Sequence, residues 1–229
     1  MDHVVGFSSG VFGEEMRMKQ ALQFLRGLGH RTVEVGCVRM KRFLEGQMLE
    51  VTTDDLVGFE SVSMHAPAFA YSTDDTSKEI IRQMQRIHAL RPVDVVVVHP
   101  DLVTDFSLLV ASGLPIGVEN QDNRKTGYKL PEDFNALFER YPKFSFVLDL
   151  NHAFTNDQSM KLAQEFYERW GNRLVEIQVS GYREAHSPLF ETGQKEIVEA
   201  VRGNARIIIE SLIHSKDTTR EFLYVTENL

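Results

Sequence analysis

The 229-residue chain has one cysteine, one tryptophan and seven prolines. A lone Cys37 excludes an internal disulfide and any multi-cysteine zinc ribbon or iron–sulfur site. A small buried or half-buried thiol is the expectation for it. No apolar run approaches the ~18 residues of a membrane span. The opening MDHVVGFSSG lacks a basic region followed by an apolar stretch, so no secretory signal is visible and a cytoplasmic location is expected. No G-x-G-x-x-G or G-x-x-x-x-G-K-[ST] follows a strand-like run, which removes the main sign of a nucleotide-binding open sheet. G-x-S-x-G is also missing, so a serine-hydrolase elbow is not supported. Basic residues are the minority, 25 against 33 acidic for a net charge of −8, so a nucleic-acid partner is not expected. The one local basic patch is Arg124, Lys125, Lys129 and Arg183. No Pro/Gly/Ser-rich linker or low-complexity stretch divides the chain, which reads as one domain over 1–229.

What is present is rhythm. Short apolar, β-branched runs lie at Val4–Phe7, Thr32–Val35, Ser61–Met64, Val93–Val98, Pro115–Val118, Phe144–Leu148, Leu174–Val179 and Arg206–Ile209. Continuous apolar stretches such as Val95–Val98 are how strands buried on both faces look. Amphipathic segments separate them, clearest at Glu14–Gly27, Ser77–Leu90 and Gln158–Trp170. Asn156 or Asp157 is positioned to cap the last of these, Gly171 to stop it, and Pro131 to open a further helix. Weaker helical patterns cover Thr104–Ser112, Gly193–Val201 and Asp217–Thr226, and Val38–Leu56 holds a poor helix or mostly loop. Eight strand–helix units imply right-handed crossovers and a parallel sheet. The expected fold is α/β: a single, compact (β/α)8 TIM barrel with a weak or missing helix in the second unit. A doubly wound open sheet is the runner-up.

In a barrel the chemistry sits at the carboxyl ends of the strands. Seven of the eight runs stop on a carboxylate, imidazole or amide: Glu34, His65, His99, Glu119, Asp149, Gln178 and Glu210. His152 follows Asp149 by three residues, and His186 sits in the loop after the seventh run. A single polar residue at a strand end is often only where sheet meets solvent, and Glu34 best fits that reading or a supporting role. Jointly the bland reading is harder to hold, because carboxylates converging on one mouth repel unless a cation or shared protons offset them. Histidine with Asp and Glu is the donor set that binds Zn²⁺ or Mn²⁺. His3, His30, His88 and His214 fit structural or solvated roles. Phe69 and Tyr71, in the loop after the third run, are expected to wall the pocket together with the Val38–Leu56 segment.

The succession SMHAP, VVVHPD, IGVEN, LDLNHAF, IQVSG…HSPL and IIIESL resembles the xylose isomerase-like TIM-barrel superfamily. That group holds sugar isomerases and epimerases, hydroxypyruvate isomerases and AP endonucleases of the endonuclease IV type. The isomerase and epimerase branch implies one divalent metal on Glu119, Asp149, Gln178 and Glu210. There, Glu119 and Glu210 pass a proton across a small sugar or hydroxy-carbonyl compound through a metal-stabilised enediolate. Gln178 stands where many members have His, and its harder amide oxygen tilts preference from Zn²⁺ toward Mn²⁺ or Mg²⁺. The endonuclease IV branch implies three zinc ions. Its nine-ligand pattern maps onto His65, His99, Glu119, Asp149, His152, Gln178, Glu184, His186 and Glu210, departing in type at Gln178 and Glu184. The first expectation is therefore a one-metal isomerase or epimerase of a carbohydrate-like small molecule. The alternatives are a metal-dependent phosphodiesterase with up to three ions, and a ligand-binding barrel without catalysis. Oligomeric state is left open.

Overall fold

The computed structural model describes residues 3–229. The first half of the chain runs β1 (Val5–Ser8), α1 (Met18–Gly27), β2 (Thr32–Gly36), α2 (Met40–Leu44), α3 (Gln47–Glu50), α4 (Thr53–Leu56), β3 (Ser61–His65), α5 (Asp75–Leu90), β4 (Val96–Val98), α6 (Ser107–Ala111) and β5 (Ile116–Glu119). The second half runs α7 (Asn135–Arg140), β6 (Ser145–Asp149), α8 (Leu150–Asn156), α9 (Lys161–Trp170), β7 (Leu174–Val179), β8 (Gly181–Tyr182), β9 (His186–Ser187), α10 (Leu189–Thr192), α11 (Lys195–Glu199), β10 (Arg206–Ile209) and α12 (Thr218–Glu227). Strands β1 to β7 and β10 close into a parallel barrel, with β1 pairing β10 on one side and β2 on the other. The closed barrel, not the open sheet, is the architecture. β8 and β9 form a separate antiparallel hairpin.

The helices cover the barrel by the periodicity read in the sequence. α1 buries Met18, Ala21, Leu22 and Leu25, and α5 buries Ile80, Ile81, Met84 and Ile87. The i, i+3, i+4, i+7 spacing in α1 and the i, i+1, i+4, i+7 spacing in α5 each place one apolar stripe on the sheet. Asp74 caps α5, accepting from the Ser77 amide at 2.8 Å. The second unit has no full helix, only the short α2, α3 and α4.

The barrel interior is divided. One side is filled by Val95, Val97 and Val147, with Val175 packed on them, the branched filling usual inside such barrels. Gly117 faces this cluster from β5; a Cβ there would lie 2.5 Å from Val95 Cγ2 and 2.9 Å from Val147 Cγ2. The other side is polar, with Glu34, Ser63, Glu176 and Gln178 all fully buried. Arg206 closes the floor of that polar side. Its guanidinium contacts Glu176 at 3.6 Å and Asp94 at 2.5 Å, and donates to Ser61 Oγ at 2.8 Å.

Several expectations need correction. Glu34 is the third residue of β2, inside the barrel and short of the strand's end. The chain turns directly from β6 into α8, a helix that the sequence periodicity did not single out. The position preceding α9 is Met160, held at φ 58°, although Asp157 accepts from the Leu162 amide at 2.9 Å. Tyr71 is core rather than pocket wall, 1% exposed with its hydroxyl donating to the Pro67 carbonyl at 2.9 Å. Cys37 is buried, as expected, and burial pushes its thiol up to about 12, away from the thiolate form that reacts.

Candidate functional site

Glu119 ends β5 at the carboxyl mouth and is 1% exposed. Its two oxygens face different neighbours. Oε2 lies 3.2 Å from His65 Nε2 and 3.3 Å from His99 Nε2, while Oε1 lies 2.9 Å from His152 Nδ1. His65 ends β3, and its Nδ1 is 2.9 Å from the Ala66 carbonyl. A ring N–H donated to that carbonyl leaves Nε2 as the atom aimed at the mouth. His99 follows β4 directly and is half-buried.

The spacing of Asp149 and His152 has a local cause. Asp149 is the N-cap of α8, and its Oδ1 accepts from the His152 amide at 2.9 Å. That bond starts the helix and swings the imidazole back over the mouth. Asn120 fastens β5 to β6: its Oδ1 accepts from the Asp149 amide at 2.7 Å, and its Nδ2 donates to the Asp149 carbonyl at 2.9 Å. Asn151 reaches the hairpin, donating to the Gly181 carbonyl at 2.7 Å. Ser180 Oγ is 2.8 Å from His186 Nδ1 on β9. Asn120, Asn151 and Ser180 escaped the sequence reading. Their signal lay in the same VEN, LDLNH and QVSG motifs, within two positions of a residue that was singled out.

Two groups present three ligand atoms within 4.8 Å of one another: His65, His99 and Glu119, and Asp149, His152 and His186. The proposed one-metal set is spread around the same opening. Gln178 Nε2 donates to Glu210 Oε1 at 3.3 Å, and Gln178 is the cross-strand partner of Asp149. Glu184 is not brought in; it lies exposed in the β8–β9 turn.

The electrostatics follow from packing many charges in one dry place. Burial works against the Glu119 carboxylate, but the charge of His99 and the hydrogen bonds from His152 and His65 hold it well below its ordinary range. Burial likewise pulls His65 and His152 down. The Glu119 hydrogen bond on the first and the Asp149 charge on the second outweigh it, raising them to about 9 and about 10. Asp149 is raised to about 6 by burial, and Glu210 far above the carboxylate range by burial and the surrounding carboxylates. Buried Asp149 Oδ2 and Gln178 Oε1 have no hydrogen-bond partner. Buried acceptor oxygens left without partners, set among imidazoles and carboxylates, match the donor set of a divalent cation.

The mouth opens into a cavity of about 230 Å³ whose walls include Glu119, Glu210, His186, Val38 and Arg39. A larger groove of about 740 Å³ lies at the other end of β5 and β6, by Pro115, Ile116 and Phe144, and holds none of these groups. Two residues of the basic patch, Arg124 and Lys125, also line the mouth cavity, and each is already paired: Arg124 with Asp122 at 2.5 Å and Lys125 with Asp101 at 2.7 Å.

No protein-family model matches the sequence, and no curated protein matches it. Solved structures do match. A D-tagatose 3-epimerase-like protein aligns with a TM-score of 0.71 at 18% identity, over 98% of this chain and 96% of the other. Endonuclease IV from Thermus thermophilus aligns with a TM-score of 0.64 at 15% identity, covering 98% and 99%. These proteins share the closed eight-stranded TIM-barrel fold of this chain. An IOLI protein described with a bound zinc atom shares it, with a TM-score of 0.64, 12% identity and coverage of 97% and 96%. The solved structures that share this fold include both an epimerase-like protein and an endonuclease, so the fold alone does not choose an activity.

Proposed function

We propose that the protein is a metal-dependent phosphodiesterase acting on a small or single-stranded phosphodiester. The carrying observation is the Glu119 carboxylate, whose oxygens are divided between His65 and His99 on one side and His152 on the other. A carboxylate shared in this way suits a bridge between two cation sites. His65, His99 and Glu119 would hold one ion, and Asp149, His152 and His186 a second; Gln178 and Glu210 supply further oxygen donors. A divalent ion bound there supplies Lewis acidity toward a phosphoryl oxygen.

The chain's own residues do the rest. Asn120 fixes the ends of β5 and β6 so that Glu119 and Asp149 keep their spacing. Ser180 orients His186. Arg39, on the cavity wall and without an ion-pair partner among the described residues, would bind a non-bridging phosphate oxygen. The net charge of −8 and the paired state of Arg124 and Lys125 favour a short phosphodiester over a long duplex.

A second reading keeps the isomerase or epimerase, supported by Glu119 and Glu210 lining one cavity. In that reading Glu119 must also serve as the proton-transferring base, a role that three contacting imidazoles leave little room for. One parallel assay separates the two. Protein loaded with Zn²⁺ or Mn²⁺ is given bis(p-nitrophenyl) phosphate and an abasic oligonucleotide. Ketohexoses and hydroxypyruvate are followed in D₂O for deuterium exchange at carbon. Phosphodiester cleavage without exchange is expected; exchange without cleavage would replace the reading with the isomerase.

A further inference from the structure

Glu34 is fully buried in the polar side of the barrel, and no step proposed above uses it. An apolar residue is the usual filling of that position, and a buried carboxylate costs solvation. Its Oε2 accepts from Gln178 Nε2 at 3.3 Å, and the same nitrogen donates to Glu210 Oε1 at 3.3 Å. Only the amino half of an amide donates, and here it donates to both acid groups, which sets the orientation of the Gln178 amide. Nε2 is turned toward β2 and β10, and Oε1 is turned away from them. That Oε1 is buried without a partner, as is Oδ2 of Asp149, which pairs with Gln178 across β6 and β7.

We infer that Glu34 is a positioning residue: it locks the Gln178 amide so that the carbonyl oxygen faces Asp149 as a donor to a divalent cation. The inference rests on the metal reading of the mouth. It gives Glu34 a role that acts through Gln178.

The test uses the full-length protein with Glu34→Leu, Gln178→Ala and the double variant, and two readouts. The first is the Gln178 side-chain amide signal in ¹⁵N NMR, identified by its loss in Gln178→Ala. In Glu34→Leu it should shift and exchange with solvent at least about tenfold faster. The second is Mn²⁺ affinity by calorimetry. Glu34→Leu should weaken it about ten- to a hundredfold, as loss of an outer partner does. In the Gln178→Ala background the same change should cost no more than about twofold. Glu34→Ala replaces the leucine variant if that does not fold, and Glu34→Gln, which keeps an acceptor oxygen, should restore most of the amide signal. An unchanged amide signal in Glu34→Leu, or an equal affinity loss in both backgrounds, overturns the inference. A wild-type protein that binds neither Mn²⁺ nor Zn²⁺ overturns the metal reading instead, while the amide signal still decides whether Glu34 positions Gln178.

Discussion

Glu119→Gln is expected to lower phosphodiester turnover by about 10³-fold or more and to weaken divalent-metal binding by more than about a hundredfold. The second figure exceeds the ten- to hundredfold typical of an outer-shell partner because Glu119 would itself be a ligand. An amide offers one acceptor oxygen where the carboxylate offers two, and its amino group would face an imidazole. Contacts to His65 and His99 on one side, or to His152 on the other, must be given up. The change is almost isosteric, and the site contributes little to the apolar core, so the thermal midpoint should move by only a few degrees. Rates and calorimetric affinities of the purified variant provide the check. Wild-type turnover in Glu119→Gln would remove this residue from the chemistry.

The second large effect is on stability. Phe134 is fully buried, and its ring lies 5.3 Å from Tyr128 and Phe146, 5.8 Å from Phe138 and 6.1 Å from Phe166. Three of these neighbours come from α7, β6 and α9 and the fourth from the loop before Pro131. The ring therefore joins a helix pair to the barrel wall. Truncation removes apolar area and leaves a void between rigid elements, so Phe134→Ala should cost about 3–5 kcal/mol. At roughly 2–4 °C per kcal/mol for a chain of this size, the midpoint should fall by about 6–20 °C. Urea unfolding followed by circular dichroism measures it. A loss below about 1 kcal/mol would mean the aromatic cluster repacks.

Much of this was legible in the sequence because barrel strands announce themselves. Runs such as Val95–Val98 and Ile207–Ile209 are apolar on both faces, and the polar residues that stop them are those that gather at the mouth. His65, His99, Glu119, Asp149 and Glu210 were readable this way, and His152 and His186 from the segments that follow the sixth and seventh runs. Gln178 was read at the right strand, but its contact with Glu34 was not, because that hydrogen bond joins residues 144 positions apart. Glu34 itself was misplaced: it follows two buried residues as the other strand-end groups do, yet β2 continues through Val35 and Gly36. The resemblance to the endonuclease IV branch implied Glu184 as a ligand; it lies exposed in the β8–β9 turn, and two-residue strands leave little pattern to read. Tyr71 looked like rim because aromatics in loops often are; the nearby Pro67 carbonyl lets it be buried whole. The basic patch was legible only as charge, since its partners Asp122 and Asp101 are set by folding.

The central claim is that Glu119 stands between two cation sites, and metal stoichiometry tests it most directly. Protein equilibrated with Zn²⁺ or Mn²⁺, freed of loosely bound ions and measured by elemental analysis, should carry at least two ions per chain. Anomalous scattering should place one beside His65 and His99 and another beside His152 and His186. A single ion held by Glu119, Asp149, Gln178 and Glu210, with the histidine pairs empty, would contradict the account and restore the one-metal isomerase.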